Sequence, residues 1–304
     1  MSISTADAGA EPMLQESRER TDAILEAWAA RLEREIPGRL GAAMAYALRS
    51  PGKRVRPALV MAAYRACGGT SASIAGVAAA VETVHTYSLV HDDLPCMDDD
   101  DLRRGRPTTH RQFDVPTATR VGFLLVPIAA RVLVEACRSL DLSDVETGAL
   151  AVELFSAGGI AGMVGGQWLD LEAEGRALEL EELRAVHRGK TGALIEASCV
   201  LGALAARAPA PQRDAMRDFG REVGLAFQVA DDVLDATGTS EELGKTAGKD
   251  AAVAKSTYVQ LLGVDGARAA AFRHAEAAVN SLARSGVSSG TLAALARYIV
   301  TRRH

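Results

Sequence analysis

Residues 89–110 read LVHDDLPCMDDDDLRRGRPTTH: six aspartates and three arginines in one short run, continuing the apolar TYSLV of residues 86–90. Asp92, Asp93 and Asp98 form a DDxxxxD pattern with Pro95 inside it. Six residues of regular helix turn through about 600°, which carries Asp98 well round from Asp92. Proline also stops the helix. The chain is therefore expected to leave the helix after Leu94 and bulge, bringing Asp98 back to Asp92. Residues 227–235, FQVADDVLD, form a second acidic cluster. Asp231 and Asp235 are four apart, so on a helix they share a face, with Asp232 beside them. Like charges so arranged destabilise the chain unless something cationic sits among them.

Around these two clusters the pattern is helical. Alanine, leucine, glutamate and arginine dominate, and alternating β-branched runs are absent. Ile24, Leu25, Trp28 and Leu32 recur at helical spacing, predicting an amphipathic helix over about 13–36 that ends at Pro37-Gly38. Further helices are predicted at about 57–67, 72–94, 115–139, 144–171, 180–207, 211–236, 255–283 and 289–302. Breakers separate them: GGTS at Gly68, the aspartate run, EGRALE at Glu174, APAP at Ala208, and the Gly/Lys-rich 238–250. With no long linker and no repeat, a single all-α domain over 1–304 is expected, with residues 1–12 disordered.

The chain has 304 residues, 48% hydrophobic, enough for one large core. Its net charge of −5 argues against a nucleic-acid partner. Cys67, Cys96, Cys137 and Cys199 lack metal-like spacing and suit a reducing, cytoplasmic setting. The N-terminus lacks the apolar core of a secretory signal. The run 121–134, broken by Pro127 and Arg131, is too short to cross a bilayer, so no membrane span is expected.

Three readings of the acidic clusters compete. A charge run is usually a solvated face. Calcium binding of the EF-hand type fails, because the alternating acidic loop with its central glycine and closing glutamate is missing. The third reading is a Mg²⁺ site completed by phosphate oxygens, which needs only a few carboxylates but also needs Lys and Arg to hold the phosphates. Those cations come in short motifs. PGKRVRP (51–57) sets Lys53, Arg54 and Arg56 at the start of a helix, where phosphate is favoured. Arg103-Arg104-Gly105 follows the first cluster. Lys190-Thr191-Gly192 lies within a helical stretch where glycine is costly. LGKTAGKDAAVAKSTY places Lys245, Lys249 and Lys255 after the second cluster. Any one of these is an ordinary surface residue; the ordered set is far more specific.

In that order, GKRVRP, HTYSLVHDDLPCMDDDDLRRGRPT, GMVGGQWLDLEAEG, HRGKTGALI, FQVADDVLD and LGKTAGKD…KSTY resemble the trans-isoprenyl diphosphate synthases, most closely their bacterial farnesyl diphosphate synthase branch. The likeness runs from about Leu40 to the C-terminus. It implies one all-α isoprenoid synthase domain, with helices around a deep central cavity, the two aspartate motifs facing across its mouth, and a homodimer. Carried over residue by residue, it implies that Asp92 and Asp98 bind Mg²⁺ with Asp93 assisting. Asp231 would take a third ion, with Asp235 and Asp232 acting through water. Lys53, Arg56, His85 and Arg104 would hold isopentenyl diphosphate. Arg103, Lys190, Thr191, Gln228, Lys245 and Lys255 would surround the allylic diphosphate. Taken singly, His85 is an ordinary core or capping histidine and Gln228 an ordinary polar helix residue.

The implied chemistry explains the aspartates. An allylic diphosphate leaves behind a carbocation, and Mg²⁺ with cationic side chains stabilises the departing charge. Tyr87 and Ser88 precede Asp92 by five and four residues, about 6–7.5 Å along a helix. Tyr87 is a candidate floor for the growing chain, against the alternative of an ordinary core tyrosine; a floor there implies a farnesyl product, and its absence a geranylgeranyl one. The chain departs from the family pattern at Pro51, where a glycine is usual. It departs again at Phe123, where an aspartate is usual, with Pro127 beyond it; these two are expected to reshape the wall below the first cluster. Two other classes remain: a terpene cyclase, which needs no GKRVRP, and a non-catalytic partner subunit, which tends to lose aspartates kept here.

Overall fold

The computed structural model describes residues 7–173, 175–238, 256–285, 287 and 289–302. In chain order the described helices are α1 (Asp7–Glu35), α2 (Arg39–Leu48), α3 (Val55–Ala66), α4 (Ile74–Asp92), α5 (Thr109–Gln112), α6 (Val115–Ser139), α7 (Asp144–Gly158), α8 (Met163–Glu172), α9 (Leu180–His187), α10 (Ala193–Ala205), α11 (Ala210–Thr237), α12 (Tyr258–Arg284) and α13 (Gly290–Thr301). A five-residue π-turn, Arg188–Gly192, joins α9 to α10. Between α4 and α5, two-residue strands β1 (Leu102–Arg103) and β2 (Arg106–Pro107) pair antiparallel, Leu102 opposite Pro107 and Arg103 opposite Arg106.

The fold is all-α. α4 and α10 are its apolar axis, and α10 buries ten of its thirteen residues, from Leu194 to Ala205. α3, α6, α7 and α11 pack around that pair, α1 and α2 close one side, and α12 and α13 close the other. A smaller cluster of Leu178, Leu183, Val186, Val229, Val233 and Tyr258 seals α9, α11 and α12 together. Aromatics are scarce, so the core is filled by alanine and leucine, and the many alanines let the helix backbones approach closely. At the crossing of α3 and α10, a Cβ on Gly202 would stand 2.4 Å from the Val60 carbonyl oxygen and 2.7 Å from the Tyr64 amide.

Several expectations need correction. Residues 7–12, expected to be disordered, open α1. Ala10, Met13 and Leu14 are buried there, and Gly9 packs against Ala294 of α13, which offsets the ladder bond lost at Pro12. α2 was not expected. It restarts directly after Gly38, whose φ of 97° turns the chain, and it buries Met44 and Leu48. The predicted helix over 144–171 is broken between α7 and α8. A Cβ on Gly162 would lie 2.2 Å from the Ala157 carbonyl, so only glycine allows the tight bend. α6 runs unbroken through Pro127. That proline frees the carbonyl four residues back, at Phe123, and both residues sit on the exposed face where water can reach it.

The stretch 144–172 is, by length and mean hydropathy (1.5), apolar enough to cross a membrane, unlike the run 121–134; the described structure folds it as α7, the glycine bend and α8.

The α3–α10 contact yields a stability test. Gly202→Ala is expected to lower unfolding stability by about 2–3 kcal/mol through overpacking against backbone that cannot yield. Guanidinium unfolding followed by helical circular dichroism measures it; an unchanged midpoint would mean the two helices are not in backbone contact.

Candidate active site

Four segments meet around one cavity of about 970 Å³. The first is the PGKRVRP loop. Arg54 sits at the N-cap of α3 with φ 52°, a left-handed conformation unfavourable for arginine. Its guanidinium is fixed from three sides: Nη1 donates to Glu82 (2.5 Å), Nε to Asp22 (2.7 Å) and Nη2 to the Ser50 carbonyl (2.7 Å). That anchor aims Lys53 and Arg56, either side of it, into the cavity. Arg56 Nη1 lies 3.3 Å from His85 Nε2. Arginine only donates, so His85 accepts there as a neutral ring. Burial, then the arginines around it, hold the His85 pKa well below its usual value. Burial also lowers Lys53 and Arg104, and brings Arg56 down to about 10. Arg56 Nε is buried with no hydrogen-bond partner among the described residues. A group of cations destabilised by each other and by burial is a site prepared for an anion.

The second segment follows α4. The helix ends at Asp92, and the Asp98 amide donates back to the Asp92 carbonyl at 2.8 Å. The bulge after Leu94 thus brings Asp98 to Asp92 as expected, and both line the cavity. Burial raises the Asp92 pKa to about 7, with Asp98 and Asp93 adding repulsion against the pull of Lys190 and Arg103. The β1–β2 hairpin then turns through Arg104 and Gly105, both with positive φ (54° and 74°), the left-handed pair of a type I′ turn. It sends Arg103 one way and Arg104 the other. Arg104 Nη1 donates to the Pro51 carbonyl (2.5 Å), lying across Gly52, whose missing side chain leaves the room. The unusual Pro51 therefore keeps a working carbonyl contact.

The third segment is α8 with the π-turn. Lys190 and Thr191 fall within the π-turn, whose extra residue widens the helix toward the cavity. Lys190 Nζ donates to Asp170 of α8 at 2.7 Å. Burial alone would lower its pKa, but Asp170, Asp98 and Asp92 outweigh this and raise it. α8 and the π-turn touch backbone to backbone: a Cβ on Gly166 would be 1.9 Å from the Lys190 amide. The fourth segment is α11. Asp231 lines the cavity and pairs with Arg302, whose guanidinium stacks 4.0 Å from the Phe227 ring centroid.

Twelve of the expected residues border this one cavity: Lys53, Arg56, His85, Tyr87, Ser88, Asp92, Asp98, Arg103, Arg104, Lys190, Thr191 and Asp231. Asp93 does not. It is 3% exposed and accepts from Arg103 Nε (2.9 Å) and Nη2 (2.6 Å), so it anchors that arginine. Asp100 shares the load at 2.8 Å. Asp232 is likewise buried behind the wall, accepting from Gln228 Nε2 (3.2 Å) and the Tyr258 amide (2.8 Å), while Gln228 accepts from Thr191 (2.8 Å). Asp235, one turn beyond Asp231, does not line the cavity. Lys245, Lys249 and Lys255 lie outside the described residues. Phe123 does not form the wall: it is 67% exposed on α6 and meets only the edge of His91, 5.3 Å between centroids. Tyr87 combines both readings offered for it, lining the cavity while donating its hydroxyl to the Gly158 carbonyl at 2.8 Å.

The sequence reading gave no role to Glu82, Asp170, Gln167 or Arg302. Glu82 had a signal: a lone acid within the apolar stretch 74–90, three residues before His85. Asp170 and Gln167 lay in a quoted motif, but only the α8–π-turn contact assigns them a place. Arg302 had none, since its partner is seventy-one positions away.

Among the described residues no three His, Cys, Asp or Glu side chains converge to hold an ion unaided. The donor set nevertheless fits Mg²⁺, which takes one or two carboxylates and completes its shell with water and phosphate oxygens. The raised Asp92 pKa is the mark of carboxylates held close in a low dielectric, where a divalent ion relieves them.

The residues 37–285 match the polyprenyl synthetase family model. The chain is 40% identical over 299 residues to the farnesyl diphosphate synthase of Geobacillus stearothermophilus, covering 98% of this chain and 100% of that one. It is 44% identical to the chloroplastic geranylgeranyl pyrophosphate synthase of Capsicum annuum, over 86% of this chain and 70% of that one. Its fold superposes on the geranyltransferase of Helicobacter pylori, solved with magnesium and isoprenyl diphosphate, with a TM-score of 0.81 and 32% identity, covering 99% and 98% of the two chains.

The Asp92 environment predicts a pH effect on the metal-free protein. Below about pH 4 the carboxyl is protonated folded and unfolded alike. From there to about 7 the unfolded chain releases a proton that the folded chain keeps, so stability falls as pH rises, and the loss is complete above 7. Asp92→Asn is therefore expected to raise the melting temperature in EDTA at pH 8 by roughly 5 °C, from about 2 kcal/mol recovered, and to change it little at pH 4. Scanning calorimetry at both pH values decides it; equal melting temperatures at pH 8 would place Asp92 in water.

Proposed function

Proceeding from a chain that belongs to the polyprenyl synthetase family, we propose that it is a Mg²⁺-dependent trans-prenyltransferase. It condenses isopentenyl diphosphate head to tail with dimethylallyl and then geranyl diphosphate, giving farnesyl diphosphate, and it works as a homodimer in a reducing, cytoplasmic compartment suited to its four free thiols. One observation carries the reading. A single cavity holds two separate charge arrangements: the cations Lys53, Arg56 and Arg104 with Arg56 Nε unpartnered, and the aspartates Asp92, Asp98 and Asp231 with Lys190. A cyclase, which binds one diphosphate, has no use for the first set.

Asp92, Asp98 and Asp231 are the residues that would hold Mg²⁺, three ions by family resemblance, and bound Mg²⁺ neutralises charge on the leaving diphosphate. Lys190 and Arg103 hold that diphosphate from the protein side. Lys53, Arg56 and Arg104 hold isopentenyl diphosphate, with neutral His85 orienting Arg56. The C1–O bond of the allylic substrate breaks and its electron pair goes to diphosphate. The C3=C4 π pair of isopentenyl diphosphate forms the new bond from C4 to C1. A proton leaves C2 to the released diphosphate, since no strong side-chain base stands among the described residues that line the cavity. Away from the charged layer the lining turns apolar, with Ile160, Met163 and Val164, and Tyr87 tied to Gly158 closes it.

Incubation with labelled isopentenyl diphosphate, Mg²⁺ and each allylic primer, followed by sizing, is expected to give the fifteen-carbon product. Tyr87→Ala is expected to move it to twenty carbons or more. An unchanged product from an active Tyr87→Ala enzyme would remove Tyr87 as the floor.

The homodimer rests on an apolar face. α7 buries only Leu150, Leu154 and Gly158, while Val145 and Val152 are 84% and 68% exposed. Such a face is costly in water and suits a second copy. Val152→Asp is expected to convert a dimer of twice 31.9 kDa into monomer at low micromolar concentration, as read by light scattering; a monomeric wild type would rule the dimer out.

A further inference from the structure

Gln167 is the exception in the α8 wall. Ile160, Met163, Val164, Trp168 and Leu171 line the cavity with apolar atoms, and Gln167 lines it with an amide. The residue is 9% exposed, and among the described residues neither Nε2 nor Oε1 has a hydrogen-bond partner. A primary amide carries two donors and an acceptor oxygen, and native folds seldom bury one bare. Gln228 shows the ordinary solution, with Oε1 taken by Thr191 and Nε2 by Asp232.

Its level in the cavity says what it meets. Gln167 and Asp170 are three apart on α8, so they share a face about 4.5 Å apart along the axis. Asp170 is bonded to Lys190, in the charged layer. Met163 and Val164, one turn the other way, stand in the apolar layer. The backbone contact between Gly166 and the π-turn holds this stretch of α8 against Lys190. Gln167 therefore occupies the boundary between the diphosphate and its hydrocarbon tail, where C1 of an allylic diphosphate lies.

We propose that Gln167 is a catalytic residue that presents its amide oxygen to the allyl fragment as positive charge spreads over C1 and C3, and its NH₂ to the diphosphate oxygen leaving C1. The inference rests on the prenyl-transfer reading above. Gln167 makes and breaks no bond; the C1–O pair goes to diphosphate as before, and the amide dipole stabilises the separated charges. Such a contact strengthens as charge develops, so it acts on turnover more than on substrate affinity.

The test uses Gln167→Leu, close in size and without polar atoms. Turnover is expected to fall ~10²-fold with both Michaelis constants little changed. The melting temperature of the metal-free protein is expected to hold or rise, because two bare buried polar atoms are removed. With Mg²⁺ and pyrophosphate present, binding of a prenyl ammonium cation should weaken about tenfold, while a thiolo-diphosphate analogue, whose prenyl part carries no charge, binds as before. A lower melting temperature with normal turnover would make Gln167 a structural amide, and equal loss of both analogues would make it a simple contact; either overturns the proposal. Wild-type turnover in the same assay reports separately on the prenyl-transfer reading itself.

Discussion

Several charges of each sign must stay close together around one cavity, and the rest of the structure answers that constraint. In bulk water Asp92 and Asp98 would repel weakly and drift apart. Beneath helices packed backbone to backbone they cannot, and burial there raises Asp92 to about 7 and lowers Arg56 to about 10 within one cavity. Such shifts persist only if the walls do not relax. The alanine-rich core supplies that stiffness. With small side chains at the crossings, as at Gly202 against Val60, the walls are main chain rather than mobile side chains.

Departures from regular helix gather at this cavity. Arg54 in the left-handed region, the Arg104–Gly105 turn, the loop-back of Asp98, the π-turn at Lys190 and the glycine bend before α8 each re-aim a side chain that a regular helix would send elsewhere. Each costs local energy and is held by partners nearby. Arg54 is the plainest case. Three acceptors hold its guanidinium and Ser17 bonds its carbonyl, and Lys53 and Arg56 on either side of it line the cavity.

The helical frame was legible because its signals are local. Residues 115–139 carry their period and breakers in the sequence, and α6 runs from Val115 to Ser139. The Asp92–Asp98 bulge was legible too, since spacing and proline alone demand it. What stayed hidden depends on contacts between distant segments. Arg302 reaches Asp231, and Asp170 reaches Lys190 through an approach that only Gly166 and Gly189 permit. Phe123 misled because a residue's neighbours in sequence do not say which face of a helix looks at the cavity. α2 was hidden for another reason: Pro37-Gly38 is a stop signal whether the chain then coils or starts a new helix.

The two acidic clusters share a division of labour that their identical Asp-Asp letters conceal. Adjacent residues on a helix point about 100° apart, so an Asp-Asp pair at a cavity edge cannot aim both carboxylates at one ion. In each pair the first aspartate, Asp92 or Asp231, lines the cavity. The second turns into the protein and becomes an anchor: Asp93 holds Arg103, and Asp232 holds Gln228 and the first amide of α12. The anchors reach opposite flanks. Asp93 fixes the hairpin that follows the first cluster. Asp232 ties α11 to the start of α12, where the chain returns from residues 239–255. Loss of an anchor would leave the cavity-lining aspartate in place and release the group held behind it, Arg103 in the first cluster and Gln228 in the second, so the second aspartate of each pair shapes the cavity without lining it.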